Sequence, residues 1–152
     1  MPAPSPHELW RSLRNVHSLS FEARSETGTG WSGSGTGTVI VTEPSTGVLV
    51  FTESGEWQPN APGRNPIRFT NVFRWSAMGD AIRLEHLRFG PERPVYLFDL
   101  ALSENGEWRE VSPHQCNEDC YTAKLALDSG RLLVNWKIQG PQMQESIAYT
   151  YW

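Results

Sequence analysis

Cysteine is nearly absent from this chain, two residues in 152, and two thiols cannot build the disulfide framework on which small secreted domains rely. Cys116 and Cys120 are therefore expected as free thiols. Long hydrophobic runs are also missing. No stretch approaches the roughly 20 apolar residues that cross a bilayer, and the start has neither the basic residues nor the apolar core of a secretory signal. The expected compartment is the cytoplasm, with no membrane partner. A surplus of positive charge is missing too: thirteen Lys and Arg stand against seventeen Asp and Glu, for a net charge of −4. The basic residues are scattered, and pairs such as Arg11 with Arg14 or Arg83 with Arg88 read as solvated surface. Phosphate-backbone binding needs clustered cations, so no nucleic-acid partner is expected.

What the chain has in quantity is aromatic surface and turn chemistry. It carries seven Trp, six Phe and four Tyr, with thirteen Gly and eleven Pro. The length suits a single domain over residues 1–152, large enough for a real core. Ser5-Pro6-His7-Glu8 has the form of a helix start, with Ser at the cap, Pro at the first helical position and Glu closing a capping box. Leu9, Trp10, Leu13 and Val16 share one helical face, which predicts a short amphipathic helix over about residues 6 to 16.

Everything after that helix, about residues 18 to 151, reads as strand and turn. Leu19, Phe21 and Ala23 alternate with polar residues. The Gly, Ser and Thr run from Gly28 to Gly37 around Trp31 predicts a sharply bent strand, since glycine permits close backbone approach. Further β-like runs are expected at about 48–57, 67–76, 81–89, 94–102, 107–113, 119–128, 131–139 and 143–151. The breaks between them, such as Met78-Gly79-Asp80, Glu104-Asn105-Gly106 and Asp128-Ser129-Gly130, are short, and short breaks join antiparallel neighbours. The expected fold is all-β: a single antiparallel up-and-down barrel of about 8–10 strands with a short N-terminal helix, because closure removes exposed strand edges.

Strand alternation also suggests what lines the barrel. Phe69, Asn71, Phe73 and Trp75 share one face of their run, and Thr70, Val72 and Arg74 the other. Trp136 and Ile138 lie opposite Asn135, Lys137 and Gln139, and Ile147, Tyr149 and Tyr151 share a face. Aromatics on one strand face usually form a filled core. The mixture here of aromatic walls with Asn71, Tyr96, Glu53 and the segment around His114 fits the few convergent polar groups of a small-molecule site.

The densest chemistry lies in Ser112-Pro113-His114-Gln115-Cys116-Asn117-Glu118-Asp119-Cys120-Tyr121. His114, Cys116, Asp119 and Cys120 are possible metal ligands, but their spacing matches none of the familiar paired-Cys zinc sites. Haem held through His114 is a further possibility. His86 reads as a lone structural histidine. Proton transfer by His114 with Asp119, or by Tyr121 with Glu53, is the enzymatic reading. A structural reading stands beside each of these: Asp119 as a turn residue, Tyr121 as a barrel-wall aromatic.

The order Phe51-Thr52-Glu53-Ser54-Gly55, Asn71-Val72-Phe73-Arg74-Trp75, His114 to Tyr121, Trp136-Lys137-Ile138-Gln139-Gly140-Pro141 and Tyr149-Thr150-Tyr151 resembles a family of small proteins without an assigned activity. The resemblance implies a calycin or lipocalin-like barrel, and its most specific parts are the His-x-Cys-x-x-Asp-x-Tyr and Trp-x-Ile-x-Gly-Pro elements. In that pattern an Arg stands where this chain has Asn71, and a basic pair where it has Gln142 and Met143. Both departures remove positive charge, which implies a neutral or differently charged ligand.

The expected function is binding of a small, largely apolar molecule inside the barrel. Phe73, Trp75 and Trp136 are its walls, Asn71, His114 and Tyr121 its orienting polar groups, and Glu53, Tyr96, Cys116 and Met143 further contacts. His114, Asp119 and Tyr121 are the candidate catalytic groups if the pocket is instead that of a cofactor-free isomerase, lyase or cyclase. Metal or haem binding through His114 is the second alternative, and an interaction module with a filled interior the third class. No cofactor is expected, and the state is expected to be monomer or homodimer.

Overall fold

A computed structural model of the chain describes residues 3–26, 32–111, 114–116, 119–141 and 144–152, with the backbone alone for His114, Gln115, Cys116 and Asp119. The segment around Trp31 lies outside the described residues.

Helix α1 covers Pro6–Arg14. Its start is the expected Ser cap: Ser5 Oγ accepts the Glu8 backbone N–H at 3.2 Å, and the Glu8 carboxylate turns back to accept from the Ser5 hydroxyl at 3.2 Å, where a full capping box would use the Ser5 backbone N–H. The helix ends two residues earlier than its apolar pattern because Asn15 turns its N–H back to Ser12 O. Val16 then folds under the last turn and stays buried with Leu9 and Leu13.

Eleven strands follow: β1 (Ser18–Ser25), β2 (Gly33–Ser45), β3 (Val48–Pro59), β4 (Ile67–Met78), β5 (Ala81–His86), β6 (Val95–Leu102), β7 (Trp108–Glu110), β8 (His114–Cys116), β9 (Asp119–Asp128), β10 (Arg131–Gln139) and β11 (Gln144–Tyr151). Each pairs antiparallel with its neighbour, β11 returns to β1, and β9 pairs with β10. The sheet therefore closes. β7 and β8 pair with successive stretches of β9, Trp108↔Leu125 and Gln115↔Cys120, so together they fill one position in a ring of ten. The run expected at 107–113 is in fact the three-residue β7, and the run expected at 81–89 stops at His86 because Gly90 closes a turn onto Leu87 O.

Alternation sets the inner face. Leu19, Val39, Leu49, Phe51, Trp75, Phe98, Leu100, Trp108, Leu132 and Val134 are all buried, with α1 laid over them. Trp108 Nε1 donates to Pro4 O at 2.9 Å, and Arg14 pairs with Glu43 at 3.1 Å, so the helix is fastened at both of its ends across one mouth of the barrel. Glycine shapes the wall of β2 and β3. A Cβ at Gly35 would collide with the Phe21 ring, and one at Gly55 with Thr36 O, so these positions let the strands approach and coil as larger residues could not.

A bulge between Leu84 and Glu85 shifts the β5–β6 register and places the consecutive residues Leu97 and Phe98 both in the core. Tyr96, expected among the interior polar groups, consequently pairs in register with Glu85, and the Arg83 guanidinium lies over its ring at 5.0 Å. Arg83 in turn pairs with Asp99 at 2.9 Å.

Candidate functional site

Glu53 is fully buried, the one charged residue among the described residues so enclosed. Period-two alternation places it on the inner face of β3 with Leu49 and Phe51, opposite Asn71 of β4. Tyr151 Oη, from the far end of the chain, donates to Glu53 Oε2 at 2.6 Å. Among the described residues Glu53 Oε1 has no hydrogen-bond partner, and neither has the buried indole N–H of Trp75.

Burial raises the Glu53 carboxyl from 4.5 to about 7, against the opposing pull of Tyr151 and then of the Asn71 amide, both of which favour the charged form. Asn71 acts here as a nearby dipole, since its amide does not make a geometric hydrogen bond to Oε1. The same enclosure pushes the Tyr149 and Tyr151 hydroxyls up, with the Glu53 charge adding to the effect. A carboxyl with a pKa near neutrality changes protonation in the range where a cell works, and it does so in a place where either state lacks water.

The groups around it form a continuous line of rings. Phe69 meets Phe21 edge-on at 5.3 Å, Phe21 meets Tyr149 at 5.5 Å, and Tyr149 stacks on Tyr151 at 5.5 Å. Tyr151 then meets Phe51 at 5.5 Å, and Phe51 meets Trp75 at 6.0 Å. Phe73 stacks on His86 at 4.8 Å, where burial, and then Arg88, lower the imidazole pKa. Toward the mouth opposite α1, the inward residues Phe21, Trp57, Phe69, Asn71, Trp136 and Ile147 are only half-buried. The barrel is thus sealed under the helix at one end and closed by half-buried rings at the other, with Glu53 between.

Of the residues expected to form the site, Glu53, Asn71 and Phe73 come together on β3 and β4. Trp75 lies deeper, and Trp136 reaches the interior from β10 to meet Phe98 at 6.3 Å. Tyr96 keeps other company, as above. Tyr121 is half-buried, opposite Ile138 of β10 and His114 of β8. The side chains of His114, Cys116 and Asp119, and the whole of Met143, lie outside the described residues. Cys120 is a free thiol. No group of three or more His, Cys, Asp or Glu suited to a metal ion occurs among the described residues.

Tyr151, Tyr149 and His86 are the members that strand patterns did not single out. The signal for the tyrosines was the shared face of Ile147, Tyr149 and Tyr151. What it lacked was the partner strand. A groove of about 720 Å³ lies on the barrel wall, shares Trp136 and Ile147 with the mouth, and does not include Glu53. The cavity and the most perturbed carboxyl are different places, and an unpartnered buried carboxyl oxygen is the rarer feature, the one that calls for a functional explanation.

No curated protein matches the sequence. Two solved structures resemble the fold. The structure of EF1p2_mFAP2b bound to DFHBI is 8% identical, covers 93% of this chain and 94% of its own, and has a TM-score of 0.46. A redesigned β-barrel, mFAP1, bound to DFHBI, is 9% identical, with 93% and 97% covered and a TM-score of 0.42. Residues 9–152 match the family of unknown function DUF6314, and the chain belongs to that family.

Proposed function

We propose that this DUF6314-family barrel binds a small, largely apolar molecule through the mouth opposite α1 and holds one polar group of that molecule on Glu53. The observation that carries the reading is the buried carboxyl whose Oε2 is held by Tyr151 while Oε1 has no partner among the described residues. An unsatisfied buried oxygen costs about 1–3 kcal/mol, and a ligand hydroxyl or N–H would recover that cost. The aromatic line from Phe69 to Trp75 supplies apolar contact, and Asn71, beside Glu53, is the second polar contact. The half-buried rings of the mouth must part for a ligand to reach Glu53, which fits their incomplete packing.

A second reading uses the same carboxyl as an acid–base group. With a pKa of about 7, Glu53 would take a proton from a bound molecule at one atom and return it at another, which is the isomerase class of chemistry. Tyr151, already donating to Oε2, would hold the carboxyl in place.

The test begins with native mass spectrometry of the purified protein beside its denatured mass, then titration with N-phenyl-1-naphthylamine, a neutral apolar dye with one N–H to donate. An adduct lost on denaturation, or saturable dye fluorescence quenched by nearby Trp and weakened at least fivefold in Glu53→Gln, supports interior binding. A clean apo mass together with dye binding that does not saturate overturns it.

A further inference from the structure

The groove on the barrel wall gathers cations that are far apart in the sequence. Arg24 of β1, Arg109 of β7, Lys124 of β9 and Lys137 of β10 all line it, and Glu22 is the one acid among the described residues that line it. A chain with a net charge of −4 has here concentrated four of its positive charges around about 720 Å³.

Strand register explains how. Arg109 and Lys124 are direct cross-strand partners. Lys124 faces Asn135 on its other side. Two residues further along, Lys137 faces Ser146, and Ser146 faces Arg24. The cations therefore stand in two rows, Arg109 with Lys124 on one wall of the groove and Lys137 with Arg24 on the other. Neighbouring strands lie about 4.8 Å apart, so from β7 to β1 the positive charge extends over roughly 19 Å. Like charges directly opposite across a strand pair destabilise a sheet. Among the described residues Arg109 is relieved by Glu107 and Glu110, each at 4.0 Å, and both distances are long for an ion pair.

We propose that this groove is a binding site for a small, elongated anion carrying two or more phosphate groups. One phosphate reaches one wall or one end of the groove. A chain of phosphates spans Lys124 and Lys137 together and offsets the repulsion between Arg109 and Lys124. The polar side chains of Asn135 and Ser146 between the cations provide hydrogen bonds to the phosphate oxygens. The site does not involve Glu53, so it stands or falls apart from the interior reading.

The experiment is titration of the whole protein at low ionic strength with tripolyphosphate and with orthophosphate, followed by calorimetry and by backbone amide shifts. Tripolyphosphate is expected to bind at least tenfold more tightly than orthophosphate and to shift amides along β9, β10, β11 and β1. The double variant Lys124→Glu with Lys137→Glu should lose binding at least tenfold. Arg68→Glu, exposed on β4 outside the groove, should stay within twofold of wild type. Circular dichroism on each variant separates lost binding from lost folding, and Lys124→Glu alone should raise the melting temperature of the free protein, because it places opposite charges across from Arg109. Co-sedimentation with vesicles bearing phosphorylated inositol headgroups tells a lipid source from a soluble one; groove-dependent binding to either supports the site. Equal affinity for the two phosphates, an equal loss in Arg68→Glu, or amide shifts confined to other strands overturns it.

Discussion

The two ends of this barrel are built from the same strands and have different interiors. At one end, α1 lies across the ring and the side chains beneath it, Leu9, Leu13, Leu19, Leu49, Phe51 and Trp75, are sealed from solvent. At the other, Phe21, Phe69, Trp136 and Ile147 point inward and remain half-buried. The difference teaches that inward direction is not burial. Strand alternation decides the first, and something laid over the ring decides the second. Burial is concentrated where the helix supplies that cover, and the uncovered half is expected to be the less stable part of the fold.

The sharpest way to break this comparison is to remove equal rings from the two ends. Phe51→Ala at the covered end should cost about 3–5 kcal/mol of stability, the usual range for a buried aromatic. Phe69→Ala at the mouth should cost less than about 2 kcal/mol, since part of its surface is already in water. Urea unfolding of both variants gives the two numbers. Equal costs would mean that the two ends are packed alike.

A second prediction tests the boundary between the ends, where Glu53 sits. Its folded pKa, about 7, lies above the 4.5 of the exposed group. Below pH 4.5 the carboxyl is protonated in both states and costs nothing. As pH rises to 7, the unfolded chain releases the proton while the folded chain keeps it, so stability falls by about 3 kcal/mol and is then level. Glu53→Gln should remove that fall: the difference between its urea midpoint and that of wild type should grow from pH 4.5 to 7 in favour of the variant. A constant difference would show that Glu53 titrates as an ordinary surface carboxylate.

The smallest effect concerns the cover itself. Ser5→Ala deletes the acceptor that holds the Glu8 N–H and should lower stability by about 1 kcal/mol. Because α1 covers only one end, hydrogen exchange should quicken for the amides around Leu19 and Leu49 and stay unchanged around Ile147. Uniform quickening would mean that the barrel opens as one unit.

Much of the architecture was legible beforehand. The Ser5 cap, the alternation in β4 and β10, and turns such as Asp128-Ser129-Gly130 are local signals, and the strands expected at 131–139 and 119–128 are those observed. The inward place of Glu53 was readable from Phe51 and Gly55 on the same face of its run. Tyr96 was not, because the bulge at Leu84 and Glu85 inverts facing downstream, and nothing local marks it. The basic groove was invisible for a different reason. Arg24, Arg109, Lys124 and Lys137 read as scattered charges until ring closure brings their strands side by side.

Local sequence decided where the helix begins, where the chain turns, and which residues the regular strands turn inward, the bulged β6 excepted, since these depend on neighbours a few positions away and on a period of two. Tertiary structure alone decided that β11 returns to β1, that Tyr151 meets Glu53 across 98 residues, and that this carboxyl titrates near neutrality. Pairing between distant segments and the exclusion of water around one group are properties of the whole closed ring, and no short window of sequence contains them.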